Sequence, residues 1–234
     1  MVRVTAVAHR GDPYRARENT LPSFASAIAA GADVVELDVR LTADGVPVVL
    51  HDPTLKRLWG QDVPVAELTA DELAQRTGGG VPTLRAALAV TAPVRTLVDL
   101  PERSAAVAHA ALEAVREAGA AGRVYYCGDP AALRAVRRLE PAAEICLTWK
   151  RTSWPREPLL AALRPRWLNY RFGLITSETV ARARARGCLV SAWTVDTRRT
   201  MRRLLALGVA SITTNRIGAL RAELDAHGRA AGRA

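Results

Sequence analysis

The sequence predicts a (β/α)8 barrel, and three observations predict it. Short apolar runs of strand length recur eight times along the 234 residues. Ala/Leu/Arg-rich stretches with helical spacing separate them, which calls for parallel strands joined by crossover helices. No linker, internal repeat or low-complexity stretch divides the chain, so the units fall into one domain over 1–234, a length suited to one barrel. A doubly wound open sheet is the alternative for the same alternation.

In chain order the strands are read at Val4–Ala8, Val34–Val39, Arg95–Leu100, Val124–Cys127, Glu144–Leu147, Trp167–Asn169, Leu189–Thr194 and Ala210–Thr213. Helices are expected at Leu21–Ala30, Leu84–Val90, Arg103–Ala118, Pro130–Leu139, Pro158–Leu163, Ser177–Arg186 and Arg198–Leu207. Residues after Gly218 supply a closing helix, and "HGRAAGRA" (about 226–234) reads as a frayed basic tail. One segment breaks the alternation. In "RLTADGVPVVL", Asp44-Gly45 between two strand-like runs is the strongest local hairpin signal. Taken as a two-residue turn, it places Ala43 opposite Val46 and Asp38 opposite His51.

Composition narrows the function. Apolar residues at 49% support a sizeable core and rule out a disordered chain. The net charge of +10 invites a nucleic-acid reading, but Lys56 and Lys150 are the only lysines, the arginines are scattered along helices, and aromatics are only 5%. No nucleic-acid partner is expected; a small phosphate-bearing substrate fits the charge equally well. Cys127, Cys146 and Cys188 lack metal-ligand spacing and lie in or near apolar runs, as buried free thiols do in a reducing compartment. With no targeting or spanning segment, a cytoplasmic protein without stable membrane insertion is expected.

The chemistry concentrates at strand ends. Along Val34–Val39 the alternation points Glu36 and Asp38 the same way, inward, with Val35, Leu37 and Val39 facing a helix. Two carboxylates so placed repel each other unless a cation lies between them: a divalent ion with hard oxygen ligands, or an inward arginine. Asp99 ends the neighbouring strand, completing three carboxylates suited to Mg²⁺ or Ca²⁺. His9 ends the strand on the other side, so His9 and His51 would flank the metal as an acid–base pair.

The combination of "AHRG", "ENTLPSFASAIAAGADVVELDVRLTADGVPVVLHDPTLKR", "VPTLRAAL", "AWTV" and "GVASITTN" resembles the glycerophosphodiester phosphodiesterase family. The likeness is strong over Ala8–Arg57 and at the C-terminal "WTV", and weak from about Glu102 to Arg186. It implies a (β/α)8 barrel with a small insertion after the HD motif, here about Pro53–Pro82. It implies metal-dependent cleavage of glycerophosphodiesters to glycerol 3-phosphate and an alcohol, with a glycerol hydroxyl attacking first and water opening the cyclic phosphate. Carried over by residue, His9 and His51 match the acid–base pair, Glu36 and Asp38 two metal ligands, and Arg10 the phosphate-contacting arginine. Which histidine is acid and which base is open.

Three departures stand out. The family's "E-x-K" at the third strand end reads Asp99-Leu100-Pro101, so the ligand is one methylene shorter and the phosphate-binding lysine is absent; Lys150 or Arg171 is the candidate replacement. Asn215 in "TTN" stands where the family more often has aspartate. The aspartate at position 99 also resembles sphingomyelinase D-type phospholipases, so a lysophospholipase D-like lipid hydrolase is one alternative and a non-catalytic phosphate binder another. Trp193 should face the mouth and pack on glycerol or the leaving group, or else pack in the core. Asn169 is a candidate pocket residue. Glu18 either begins a capping segment with Asn19 and Thr20 or steers His9 or Arg10. His109 and His227 read as surface residues, and Asp12 as a turn residue.

Overall fold

A computed structural model describes residues 3–231. Eight parallel strands form the barrel wall: β1 (Thr5–His9), β2 (Val34–Leu41), β4 (Arg95–Leu100), β5 (Val124–Gly128), β6 (Cys146–Trp149), β7 (Trp167–Arg171), β8 (Leu189–Trp193) and β9 (Ser211–Thr214), while the short β3 (Pro47–Val49) hangs from β2. Their order is β5-β4-β2-β1-β9-β8-β7-β6. A Tyr126–Ile145 bridge, with the Tyr126 amide donating to the Glu144 carbonyl at 3.1 Å, links the two ends. This nearly closed barrel replaces the open-sheet alternative.

The wall sorts its side chains by parity. Ala6, Ala8, Val35, Leu37, Val98, Leu100, Leu147, Leu168, Val190 and Ile212 face outward and join the layer packed under the helices. The alternate residues fill the barrel, and they change character along its axis. Val7, Val34, Leu97, Tyr125, Cys127, Cys146, Trp167 and Ala210 form an apolar plug at the N-terminal end. One pleat further along come His9, Glu36, Asp38, Asp99, Thr148, Asn169, Trp193 and Thr213, which line a pocket at the C-terminal mouth. The plug keeps water out below and leaves the polar groups above it only one another and whatever enters from the mouth.

Helix starts follow their capping residues. Thr20, Thr83, Asp129 and Thr197 each accept a first-turn amide, and Pro22 and Pro130 occupy the first turns, where no backbone donor is missed. Because Thr20 caps helix Leu21–Ala29, Asn19 is left for another use.

Two expectations are corrected. The β2–β3 register pairs Val39 with Val49 and Leu41 with Pro47, so Leu50, not His51, lies opposite Asp38, and the Leu50 amide donates to the Asp38 carbonyl at 3.0 Å. The loop holds three residues: the Thr42 amide donates to the Val46 carbonyl at 3.1 Å, and Gly45 takes the left-handed position at φ 77°. The tail read as frayed is helical through Ala231, in a helix starting at Ile217; residues 232–234 lie outside the described residues. The stretch read as an insertion has a core of its own, in which Leu55, Val65, Leu68, Leu73 and Val81 pack with Val48 and Leu50 from the hairpin.

Phe24, fully buried between helix Leu21–Ala29 and the barrel, anchors the loop that carries Arg10. Phe24→Ala should cost about 3–5 kcal/mol, read as a lower urea midpoint with an unchanged m-value.

Candidate active site

The loop between β1 and the first helix is folded back on the strand ends. Arg10 (φ 55°) and Asn19 (φ 58°) both adopt the left-handed region, which ordinary residues occupy only at a cost. Gly11 (φ 87°) turns so tightly that an added Cβ would lie 2.3 Å from Ser23 Oγ. The fold-back puts the Arg10 amide 3.0 Å from Glu36 Oε2 and its Nε 3.1 Å from Asp38 Oδ2. Its Nη1 donates to Glu18 Oε1 at 2.9 Å, and Glu18 also accepts from Arg57 Nη2 at 2.6 Å. Glu18 therefore steers Arg10, not His9. Asn19 Nδ2 donates to Asp38 Oδ2 at 2.8 Å, a role sequence reading missed; only its "ENT" setting hinted at one. Asp12 is a turn residue, held by Ser23 and Ser26.

The inward arginine is thus real, but it answers only part of the charge. Asp38 and Asp99 are register partners across β2 and β4, and Glu36 lies on the same face two residues before Asp38. All three can present an oxygen within 4.8 Å of the others. Burial, then repulsion from Asp38, pushes Glu36 and Asp99 each up to about 8. Asp99 Oδ1 is buried and accepts no hydrogen bond. Gly128 (φ 122°) is required beside it, since a Cβ there would lie 2.7 Å from that oxygen and 2.2 Å from the Leu100 carbonyl. Hard oxygen donors, excess negative charge and an unpartnered carboxylate oxygen fit a divalent cation.

Each histidine is held through Nδ1. His9 Nδ1 lies 2.8 Å from Asn215 Oδ1, while Asn215 Nδ2 and its backbone amide both donate to Asp196, each at 2.8 Å. With the amide nitrogen committed to Asp196, the amide oxygen must accept, so Nδ1 carries the proton and Nε2 holds the lone pair. Burial, then the positive charge of Arg10, holds His9 below the ordinary histidine range. His51 Nδ1 pairs with Asp52 Oδ1 at 2.6 Å, and Asp52 is gripped by Arg57 Nε at 2.5 Å. The His51 carbonyl accepts from Arg40 Nε at 2.8 Å, with Arg40 held by Glu102 at 2.6 Å. Asp52 was in view in the HD dipeptide without a role; nothing local signalled Asp196.

His9, Arg10, Glu36, Asp38, His51 and Asp99 share one pocket of about 130 Å³, and Lys150, Asn169 and Trp193 complete its lining with Leu97, Cys127, Thr148 and Thr213. Lys150 reaches this lining with its Nζ 5.8 Å from the centroid of the Trp193 ring. Arg171, exposed at the end of β7, does not line the pocket. Exposed His109 and half-buried His227, on the C-terminal helix, lie outside it as well. All three cysteines are buried free thiols.

A parallel barrel carrying acid–base groups and clustered carboxylates at its C-terminal mouth defines a barrel-type hydrolase site. The profile of the glycerophosphoryl diester phosphodiesterase family matches residues 9–219, and the chain belongs to that family of phosphoric diester hydrolases. A glycerophosphodiester phosphodiesterase of Caldanaerobacter subterraneus subsp. tengcongensis is 30% identical over 233 residues, covering 92% of this chain and 95% of its own. A crystal structure of a glycerophosphodiester phosphodiesterase from Parabacteroides distasonis superposes with a TM-score of 0.85 at 26% identity, covering 97% of this chain and 98% of that one. The Thermotoga maritima enzyme gives 0.80 at 26% identity over 92% of this chain and 96% of its own.

If the carboxylates bind a divalent ion, Mg²⁺ or Ca²⁺ should raise the melting temperature of chelator-treated protein, by an amount equivalent to about 2.7 kcal/mol at a hundredfold excess over Kd. Asp99→Asn should remove the ion-dependent rise while leaving the metal-free protein at least as stable as the parent, since it relieves the repulsion. An unchanged ion-dependent rise in that variant would reassign the site.

Proposed function

We propose that the chain hydrolyses glycerophosphodiesters to glycerol 3-phosphate and an alcohol in a reaction that depends on a divalent cation. The observation that carries this reading is the convergence of three clustered carboxylates, two histidines fixed through Nδ1, and Arg10 and Lys150 in one pocket. Glu36, Asp38 and Asp99 would hold the ion, and the chemistry it supplies there is polarisation of a phosphoryl oxygen and neutralisation of developing charge.

The remaining work falls to side chains of this chain. Arg10, braced by Asp38 and Glu18, and Lys150 supply positive charge to a phosphate bound in the pocket. His9 suits the general base, because it is held neutral and its Nε2 lone pair is the free one. It takes the proton from an attacking glycerol hydroxyl. His51, turned by Asp52, then fills the acid's place and protonates the alkoxide that leaves. Water opens the resulting cyclic phosphate with the two roles reversed, regenerating both histidines.

The lipid-directed alternative finds no greasy rim in the insertion. Leu58 and Trp59 of "LKRLWG" pack against its small core, and Arg17 lies 5.0 Å from the centroid of the Trp59 ring. Tyr14 and Leu139 are the large apolar side chains left exposed among the described residues, and they do not form a patch on that stretch.

Glycerol 3-phosphate release from glycerophosphocholine should require added Mg²⁺ or Ca²⁺ and stop with chelator. His9→Ala and His51→Ala should each lower kcat by about 10²–10⁴-fold with the fold intact by circular dichroism. Asn215→Leu should lower kcat far more than it raises KM, because it releases the tautomer of His9 without touching the phosphate contacts. Metal-independent release, or release undiminished in both histidine variants, would refute the reading.

A further inference from the structure

A second cavity of about 810 Å³ opens beside the catalytic pocket and shares Asp99, Thr148 and Lys150 with it. Its other walls carry Arg103 from the loop after β4, Arg134 from helix Pro130–Leu139, and Arg151 and Arg156 from the loop after β6. Among the described residues none of these five cations makes an ion pair with a carboxylate, whereas Arg10, Arg40, Arg57, Arg95, Arg198, Arg202 and Arg221 all do. The two acids that line the cavity are already engaged: Asp99 belongs to the carboxylate cluster, and Asp129 Oδ1 accepts the Ala131 amide at 2.7 Å as a helix cap. Lys150 and Arg151 rest only over aromatic rings, those of Trp193 and Trp149, each at 5.8 Å from the centroid.

The two spaces differ in size. The catalytic pocket measures about 130 Å³ and the groove about 810 Å³. The two are continuous through Asp99, Thr148 and Lys150, so a phosphate carried on the alcohol half of a diester held at the catalytic pocket can reach the larger, cation-lined groove. Convergent unpaired guanidinium groups are suited to a phosphate monoester, which they can hold through paired donors.

Resting on the hydrolase reading above, we propose that this groove binds a second phosphate carried by the alcohol half of the diester. The substrate class is then a glycerophosphodiester whose leaving alcohol is itself phosphorylated. Hydrolysis breaks the P–O bond to that alcohol, with one water supplying hydroxyl to phosphorus and hydrogen to the departing oxygen. The products are glycerol 3-phosphate and the phosphorylated alcohol, which keeps its own phosphate intact.

The test compares two substrates that differ only in that phosphate: glycerophosphoinositol and its inositol-phosphorylated counterpart, both with Mg²⁺ at low salt. The parent protein should favour the phosphorylated diester by about tenfold or more in kcat/KM, mainly through KM, and added salt should shrink the preference. Exposed Arg134 and Arg156 stand outside the catalytic pocket, so the double variant Arg134→Gln/Arg156→Gln should bring the two substrates close to parity while leaving turnover of glycerophosphoinositol unchanged. Equal kcat/KM in the parent, or a preference that survives in the double variant, would overturn the proposal. Should neither diester be cleaved, the hydrolase reading fails by itself. Calorimetric titration with the phosphorylated diester then decides for the groove: binding lost in the double variant upholds it, and no binding by the parent overturns it.

Discussion

Asp38 and Asp99 sit directly across from each other on β2 and β4, and Glu36 follows on the same inward face. Three carboxylates within 4.8 Å at the top of an apolar plug, Glu36 and Asp38 buried and Asp99 partly so, concentrate negative charge where little water reaches it. Much around the site answers that constraint. Arg10 brings a guanidinium to Asp38, Asn19 donates to the same carboxylate, the Arg10 amide donates to Glu36, and Lys150 stands across the pocket. Asp99 receives none of these direct contacts, and its Oδ1 is left without a hydrogen-bond partner.

The cost of this arrangement is met in the β1 loop. Two non-glycine residues in the left-handed region and a glycine pressed against Ser23 are what it takes to fold "HRG" back on the strand ends. A relaxed loop would have carried Arg10 into solvent. The capped first helix, with Phe24 buried beneath it, holds the strain in place from the far side. Local backbone cost and remote apolar burial are therefore two ends of one device.

Much of this was legible in the sequence. All eight barrel strands appear where apolar runs were read, because wall strands are buried on both faces and carry few polar interruptions. The interruptions that do occur, Glu36, Asp38, Asp99 and His9, were for that reason informative: each sits where a strand should have stayed apolar. The hairpin register was not legible, since Asp44-Gly45 serves a two-residue turn and the last part of a three-residue loop equally well. Nor were the long-range partners. Asn19 to Asp38 and Asn215 to Asp196 are pairings of ordinary polar residues, and only the closed barrel makes them neighbours. That Lys150 lines the pocket and Arg171 does not likewise depends on where two adjacent strands end.

The hydrogen bond between His9 and Asn215 joins residues 206 positions apart, from the first strand to the loop beyond the last. Those strands are also the seam where β1 meets β9. A chain emerging from the ribosome can therefore assemble its carboxylates early, from β2 and β4, while the imidazole beside them stays unoriented until β9 and Asn215 have been made. Orientation of His9 waits for β9 and arrives together with closure of the barrel. A fragment stopping short of β9 would hold every carboxylate of the cluster and still lack the contact that orients His9.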